Sequence, residues 1–336
     1  MTNPILFFDL HDHRKMLALP YNHEFHVRIP NIYWGLTIDQ YYCKRFPYKA
    51  REVWLASMAE GRIMVNGRSI LPTYIIQAND ILDSFVKDII EPPINTEWQD
   101  IYEDDDLKII NKPGHLAVHP TGRFYKHSYV QIMAESHPKI KVYLLHRLDV
   151  ETSGLLIIGK TNRLATAFLK MFNAKEVHKK YLAIVKGRFP LEGLLVDKAI
   201  GLSRDSAIGV KMAVNGKDAK DAISRFELVE HRGNYSLIRC LPITGRTNQL
   251  RVHLEYAGYP ILGDKVYCND DSVFIDYHEN GETPALKEKL ILYRQALHAY
   301  QVSFRHPFKN EDMNFEAPFP DDINYLPFDC NRAVKS

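Results

Sequence analysis

His146-Arg147-Leu148-Asp149-Val150-Glu151-Thr152-Ser153-Gly154-Leu155-Leu156-Ile157-Ile158 places a charged turn directly before an apolar run. The run Leu155 to Ile158 is bounded by Ser153-Gly154 and Gly159, and a short apolar segment with such boundaries reads as a buried strand. Asp149 therefore sits in a loop held by rigid structure, where functional side chains tend to be placed. Arg147 precedes it and Glu151 follows it at two residues' distance, so these letters alone leave a salt-bridged turn and a functional carboxylate both open.

Downstream, Asn162 can cap a helix whose Leu164, Ala165, Phe168, Leu169 and Phe172 fall at helical spacing, a stripe that reads as core. His178 to Gly187 joins a basic start to an alternating strand carrying Tyr181, by itself an ordinary half-buried strand residue. Residues 188–235 read as further β structure. Gly216-Lys217 is no phosphate loop, because no Ser or Thr follows and the preceding glycine is Gly209. In Pro242 to Leu254, Gly245-Arg246 forms a turn and Gln249 to Leu254 reads as helical.

Upstream, Glu91-Pro92-Pro93-Ile94 reads as a linker, since prolines lack a donor and fix an extended chain. An acidic turn (103–106) and a strand from Leu107 to Ile110 follow it. Asn111 to Pro120 is then a turn that shapes a pocket wall without supplying chemistry. Before the linker, Thr37-Ile38-Asp39-Gln40 fits a capping box, and a second helix over residues 50–60 stops at Gly61. Asn66-Gly67 between apolar runs is a hairpin signal, because both residues tolerate positive φ. Lys44, Arg45, Lys49 and Arg51 cluster there, and Arg62 and Arg68 frame the hairpin. Such residues meet phosphates and add affinity without reading sequence; solvated helix faces are the bland alternative. Residues 1–36 stay unassigned. His11-Asp12-His13 has metal-binding letters, but a terminal arm is the plainer reading.

The length of 336 residues suits one or two domains. A formal charge of only +2 means that affinity for nucleic acid must come from local patches. No apolar run is long enough to span a bilayer, and Met1 to His13 lacks a signal-peptide pattern. Cys43, Cys240, Cys268 and Cys330 are isolated, without metal-ligand spacing, so reduced thiols and a cytoplasmic location are expected.

The text from His146 to Thr161 resembles the signature of the RluA-type family of pseudouridine synthases. The resemblance extends over about 98–325 with its motifs in order: Asn111 to Pro120, Tyr181, Pro242 to Asp264, Arg294 to Ala299 and Phe315 to Pro320. It implies that Asp149 is the catalytic carboxylate, that Tyr181 faces the uracil, and that Arg251 is the basic partner of Asp149. Arg246 is the alternative partner, or a phosphate contact; Arg147 also meets substrate, and Leu297 forms an apolar wall. Val150 and Asn248 depart from the pattern. The family usually has His at the second position, and Asn cannot carry charge, which puts any acid–base role there in doubt. Residues 37–88 resemble the small RNA-binding domain of ribosomal-protein S-four type, with Lys44, Arg45, Arg62 and Arg68 as RNA contacts.

These resemblances imply an α+β protein. It would have an unassigned arm (1–36), a small α+β RNA-binding domain (37–90), a linker (91–97), a catalytic domain (98–325) and a tail (326–336). The catalytic domain would be a mixed, mostly antiparallel sheet with peripheral helices and a cleft. Turning uridine into pseudouridine breaks an N-glycosidic bond and rejoins the uracil through carbon with no redox change, so no cofactor and no metal are expected. RNA is the expected partner, ribosomal RNA ahead of transfer RNA, and a monomer the default state. Two rivals stand beside this reading. A glycoside hydrolase would need a second placed carboxylate, for which Glu151 is the available residue. An RNA-binding protein without catalysis would need only the basic hairpin.

Overall fold

The computed structural model describes residues 14–15, 17–46 and 50–324. Two compact units divide the chain: residues 16–92, and residues 93–336 together with 1–15. His11, His13, Lys49 and Cys330 lie outside the described residues.

The smaller unit is a four-stranded antiparallel sheet with two helices. Its strands lie in the order Tyr21–Arg28, Ile81–Ile89, Ile63–Val65, Arg68–Ser69, and its helices are Ile38–Arg45 and Arg51–Ala59. The Gln40 side chain accepts the Thr37 N–H at 3.1 Å, closing the first helical turn as the letters imply. Asn66 (φ 53°) and Gly67 (φ 70°) both take the left-handed conformation at the hairpin tip. Ile38, Tyr42, Met58, Ile63 and Leu82 form the core. The strand Tyr21–Arg28 extends this unit back before residue 37, where the sequence shows no sustained period. Only Tyr21, His23 and Phe25 turn inward along it, each half-buried, so the apolar alternation is weak.

At the other boundary, Ile94–Asn95 pairs with Arg14–Lys15, and Ile94 is fully buried. The expected linker of 91–97 is therefore partly built into the larger unit.

That unit is organised on a ten-stranded sheet. Its main path runs Leu194–Asp197, Ile223–Arg232, Tyr235–Pro242, His178–Lys186, Leu297–Arg305, Ser153–Gly159, Leu107–Lys112 and Gln99–Glu103. Its strand pairs are antiparallel except one: Ser153–Gly159 runs parallel to Leu297–Arg305, with Ser153 opposite His298 and Gly154 opposite Ala299. Parallel pairing brings the starts of two strands to one edge, so the loop ending at Thr152 meets the segment ending at Ala296.

Alternate residues of Ser153–Gly159 feed two cores. Leu156 and Ile158 join the cluster holding Ile110, Leu182 and Ile184, while Leu155 and Ile157 pack with Ile109, Leu164 and Phe168. A strand buried on both faces reads as an unbroken apolar run, which is why Leu155 to Ile158 shows no alternation. The second face is covered by the helix Asn162–Asn173. Its cap is Thr161, whose side chain accepts the Leu164 N–H, and not Asn162, which is the first helical residue. Leu169, expected in the buried stripe, is 64% exposed, and Met171 takes its place.

Candidate active site

Asp149 lies in an irregular loop closed by its own carbonyl, which accepts the Thr152 N–H at 3.1 Å. The Asn111 to Pro120 stretch holds this loop from below. Lys112, fully buried, donates to the carbonyls of Pro113 (2.8 Å), Leu116 (3.0 Å) and Val150 (3.1 Å), and the Leu116 N–H also donates to Val150. Burial, with Arg294 nearby, drives the Lys112 amine well below the usual lysine range. Arg294 grips the loop from the other side through the Glu151 carbonyl (2.9 Å) and is itself held by Asp322 at 2.5 and 2.6 Å. Gly114 leaves room for it, since a Cβ there would strike the Arg294 side chain.

The basic partner comes from the helix Gln249–Tyr256. Gln249 closes the preceding turn: its carbonyl accepts from Arg246 N–H (2.9 Å) and Thr244 Oγ1 (2.7 Å), and its amide donates to Ile223 O and Ser224 Oγ at 2.9 Å. That anchor aims Arg251. Its Nη1 donates to Asp149 Oδ2 at 2.9 Å, while Nε and Nη2 form a fork on Asp264 at 2.7 and 2.9 Å. Asp264 in turn accepts the Val266 and Tyr267 N–H groups at 2.9 Å. Burial opposes the Arg251 charge, but the Asp264 carboxylate and then Asp149 outweigh it, and the guanidinium is held well above its ordinary range. The pair is open at one end only, for the Asp149 side chain is 36% exposed and Arg251 11%.

Asn248 has a structural explanation. It adopts φ 56° at the helix start, a conformation in which asparagine is enriched. Its Oδ1 accepts from Arg251 Nη1 (3.2 Å) and its Nδ2 donates to the Tyr267 hydroxyl (2.9 Å). Tyr267 lies under the guanidinium, 4.7 Å from ring centroid to Cζ. The residue bridges Arg251 to its supports and needs no charge to do so.

Tyr181 lies opposite Ala299, which lies opposite Gly154, so the phenol stands two strands from the strand that Asp149 leads into. Its hydroxyl makes no hydrogen bond among the described residues, and burial, reinforced by the Asp149 charge, pushes the phenol above its ordinary range. It stays neutral at physiological pH. Leu297 is buried in the same apolar cluster as Tyr181.

Arg246 is exposed and donates to the Asp221 carbonyl (2.9 Å), so between the two arginines it is Arg251 that pairs with Asp149. Arg147 is also exposed, with its Nη1 3.2 Å from His119 Nε2, and does not touch Asp149. Glu151 is committed to Lys265 (2.6 Å) and the Gln295 N–H (3.1 Å), which removes the second free carboxylate that a glycoside hydrolase needs. Lys44, Arg45, Arg62 and Arg68 belong to the smaller unit.

Lys112, Asp264, Tyr267 and Gln295 support the site without any mark in the letters that sets them apart. The nearest to one is a lysine inside a strand or an acid after Gly263 in an apolar stretch. Neither shows its partner.

The RNA pseudouridylate synthase family matches residues 106–256. A ribosomal large subunit pseudouridine synthase D of Neisseria meningitidis is 32% identical over 87% of this chain and 78% of that protein. The protein of the same name in Vibrio cholerae is 33% identical over 86% of this chain and 89% of its own length. Among solved structures, human RNA pseudouridylate synthase domain-containing 4 is 25% identical with a TM-score of 0.52, covering 70% of this chain and 92% of the other. An Asp–Arg pair at the edge of a mixed sheet, within electrostatic reach of a neutral tyrosine, thus stands in a chain that belongs to the RNA pseudouridine synthase family, isomerases that act on RNA.

Proposed function

We propose that Asp149 is the carboxylate that acts at the ribose of a flipped-out uridine, with Arg251 and Tyr181 beside it and large-subunit ribosomal RNA as the substrate. The 2.9 Å pair between Arg251 Nη1 and Asp149 Oδ2 carries this reading, because it joins the two strongest motifs across 102 residues of chain. The reaction breaks C1′–N1 and forms C1′–C5; C5 loses a proton and N1 gains one. A carboxylate in this place can attack the anomeric carbon or take the 2′ proton, and both routes need an ionised oxygen aimed at the sugar. Arg251, anchored on Asp264, supplies the fixed positive charge that holds Oδ2 of this carboxylate in place. Tyr181 offers a face for the uracil and an uncommitted hydroxyl for the proton that moves late. Extracting the base costs a few kcal/mol, less in a single-stranded loop. Leu297 forms the apolar wall, and Arg147 and Arg246, both exposed, meet the RNA backbone.

Support for ribosomal RNA comes from the names of the relatives in Neisseria and Vibrio. We assign the smaller unit the role of adding affinity for RNA. Arg51 pairs with Asp39 and Arg62 with Glu60, whereas Lys44, Arg45 and Arg68 have no ion pair among the described residues and are freest to meet phosphate. The test uses purified protein and large-subunit RNA carrying tritium at uridine C5. Wild type is expected to release tritium, and Asp149→Ala to bind the RNA equally well and release none. Release by Asp149→Ala would reject the assignment.

A further inference from the structure

Gln295 lies two residues before the strand that runs parallel to Ser153–Gly159, and its side chain enters the floor of the site. It is 1% exposed. Its Nε2 donates to Thr152 Oγ1 at 2.6 Å and lies 3.5 Å from Asp149 Oδ2, while its backbone N–H donates to Glu151 Oε2 at 3.1 Å. The amide can face only this way, because the reverse orientation would set its carbonyl against the Asp149 carboxylate. Its Oε1 has no hydrogen-bond partner. An unpaired buried acceptor is unfavourable, and an apolar residue of the same shape would avoid it. Such a local departure from good packing is expected where function sets the residue.

The two oxygens of Asp149 are consequently unequal. Oδ2 meets both Arg251 (2.9 Å) and Gln295 (3.5 Å), whereas Oδ1 has no partner among the described residues. We propose that Gln295 is a positioning residue that, with Arg251, occupies Oδ2 and so leaves Oδ1 as the oxygen presented to the ribose. This rests on the reading of Asp149 as the catalytic carboxylate. Arg251 alone fixes one end of one oxygen, about which the carboxylate can still swing. The second contact, set by the short bond to Thr152, removes that rotation. Misplacement by about 1 Å is enough to lose on the order of a hundredfold in rate.

The test compares wild type, Asp149→Ala, Gln295→Met and Thr152→Val in single-turnover tritium release from the same RNA, alongside the RNA dissociation constant and the thermal unfolding midpoint. Gln295→Met keeps the length and apolar stem and removes the amide with its unpaired oxygen. It is expected to slow the chemical step by about tenfold to a hundredfold, with RNA affinity within about twofold and no fall in the unfolding midpoint. Thr152→Val, which frees the amide without removing it, is expected to shift the rate the same way by less. A merely structural role would lower the midpoint and the rate together, and that result overturns the proposal. So does a Gln295→Met rate within about twofold of wild type while Asp149→Ala is inactive, which leaves the reading of Asp149 standing. Turnover by Asp149→Ala would remove both.

Discussion

Arg251 has its guanidinium engaged by Asp149, Asp264 and Asn248 and its face laid on Tyr267, so it is a fixed charge. Tyr181 is its opposite: buried, neutral and with an uncommitted hydroxyl. Tyr181→Phe should therefore leave the unfolding free energy within about 0.5 kcal/mol of wild type, since no hydrogen bond is lost. Single-turnover formation of pseudouridine should nevertheless slow by about a hundredfold, the usual loss for a proton-transfer group. Denaturant titration and rapid quench check the two halves; an unchanged rate would confine Tyr181 to stacking. Asp149 and Arg251 stand out because each sits in a long run of specific text, whereas Tyr181 stands out only through the family resemblance, being by itself an ordinary strand residue. Asp264 and Gln295 do not, because their roles consist of hydrogen bonds to partners distant in sequence, Gln295 reaching Asp149 across 146 residues. Only folding supplies that proximity.

The parallel pair of strands is the element that assembles the site, and Gly154 permits it. Gly154 has φ 107°, and a Cβ there would sit on the backbone of Ala299. Gly154→Ala should destabilise the protein by about 3 kcal/mol or more, through overpacking and a strained backbone together. It should also lower turnover by spreading the Asp149 loop from Gln295. Urea unfolding measures the first effect, and a loss under about 1 kcal/mol would show that the strands can separate at little cost. The strand Ser153–Gly159 was readable from its apolar run and glycine boundaries, and the hairpin from Asn66-Gly67. The cap falls at Thr161, one residue before the expected Asn162, because Thr and Asn are both competent caps. The strand Tyr21–Arg28 carries no clear signal, because its inward face is only half-buried and partly polar.

At the scale of the whole molecule, buried histidines should govern stability in mild acid. His146 Nε2 accepts the Ile157 N–H at 3.0 Å, and burial lowers its pKa to about 3; burial likewise lowers that of His298 to about 4. Between those values and the ordinary 6.5, the unfolded chain takes up protons that the native state refuses, so stability falls as pH falls. From pH 7 to pH 5 each should remove about 2 kcal/mol, measured by denaturant unfolding at both pH values. Asp264 and Asp104, whose pKa values are depressed, contribute stability that is lost only at lower pH, below the ordinary carboxylate range. A flat profile between pH 7 and 5 would mean that these histidines find protons when folded. The two-unit plan was legible from Pro92-Pro93 and the hairpin, but the pairing of Arg14–Lys15 with Ile94–Asn95 was not, for two-residue strands carry no pattern. The most direct measurement for the function as a whole is pseudouridine mapping of total RNA from cells lacking the gene, complemented by wild type or by Asp149→Ala. The expected result is that one or a few sites in large-subunit ribosomal RNA disappear and that wild type alone restores them. Restoration by Asp149→Ala, or no lost site at all, would contradict it.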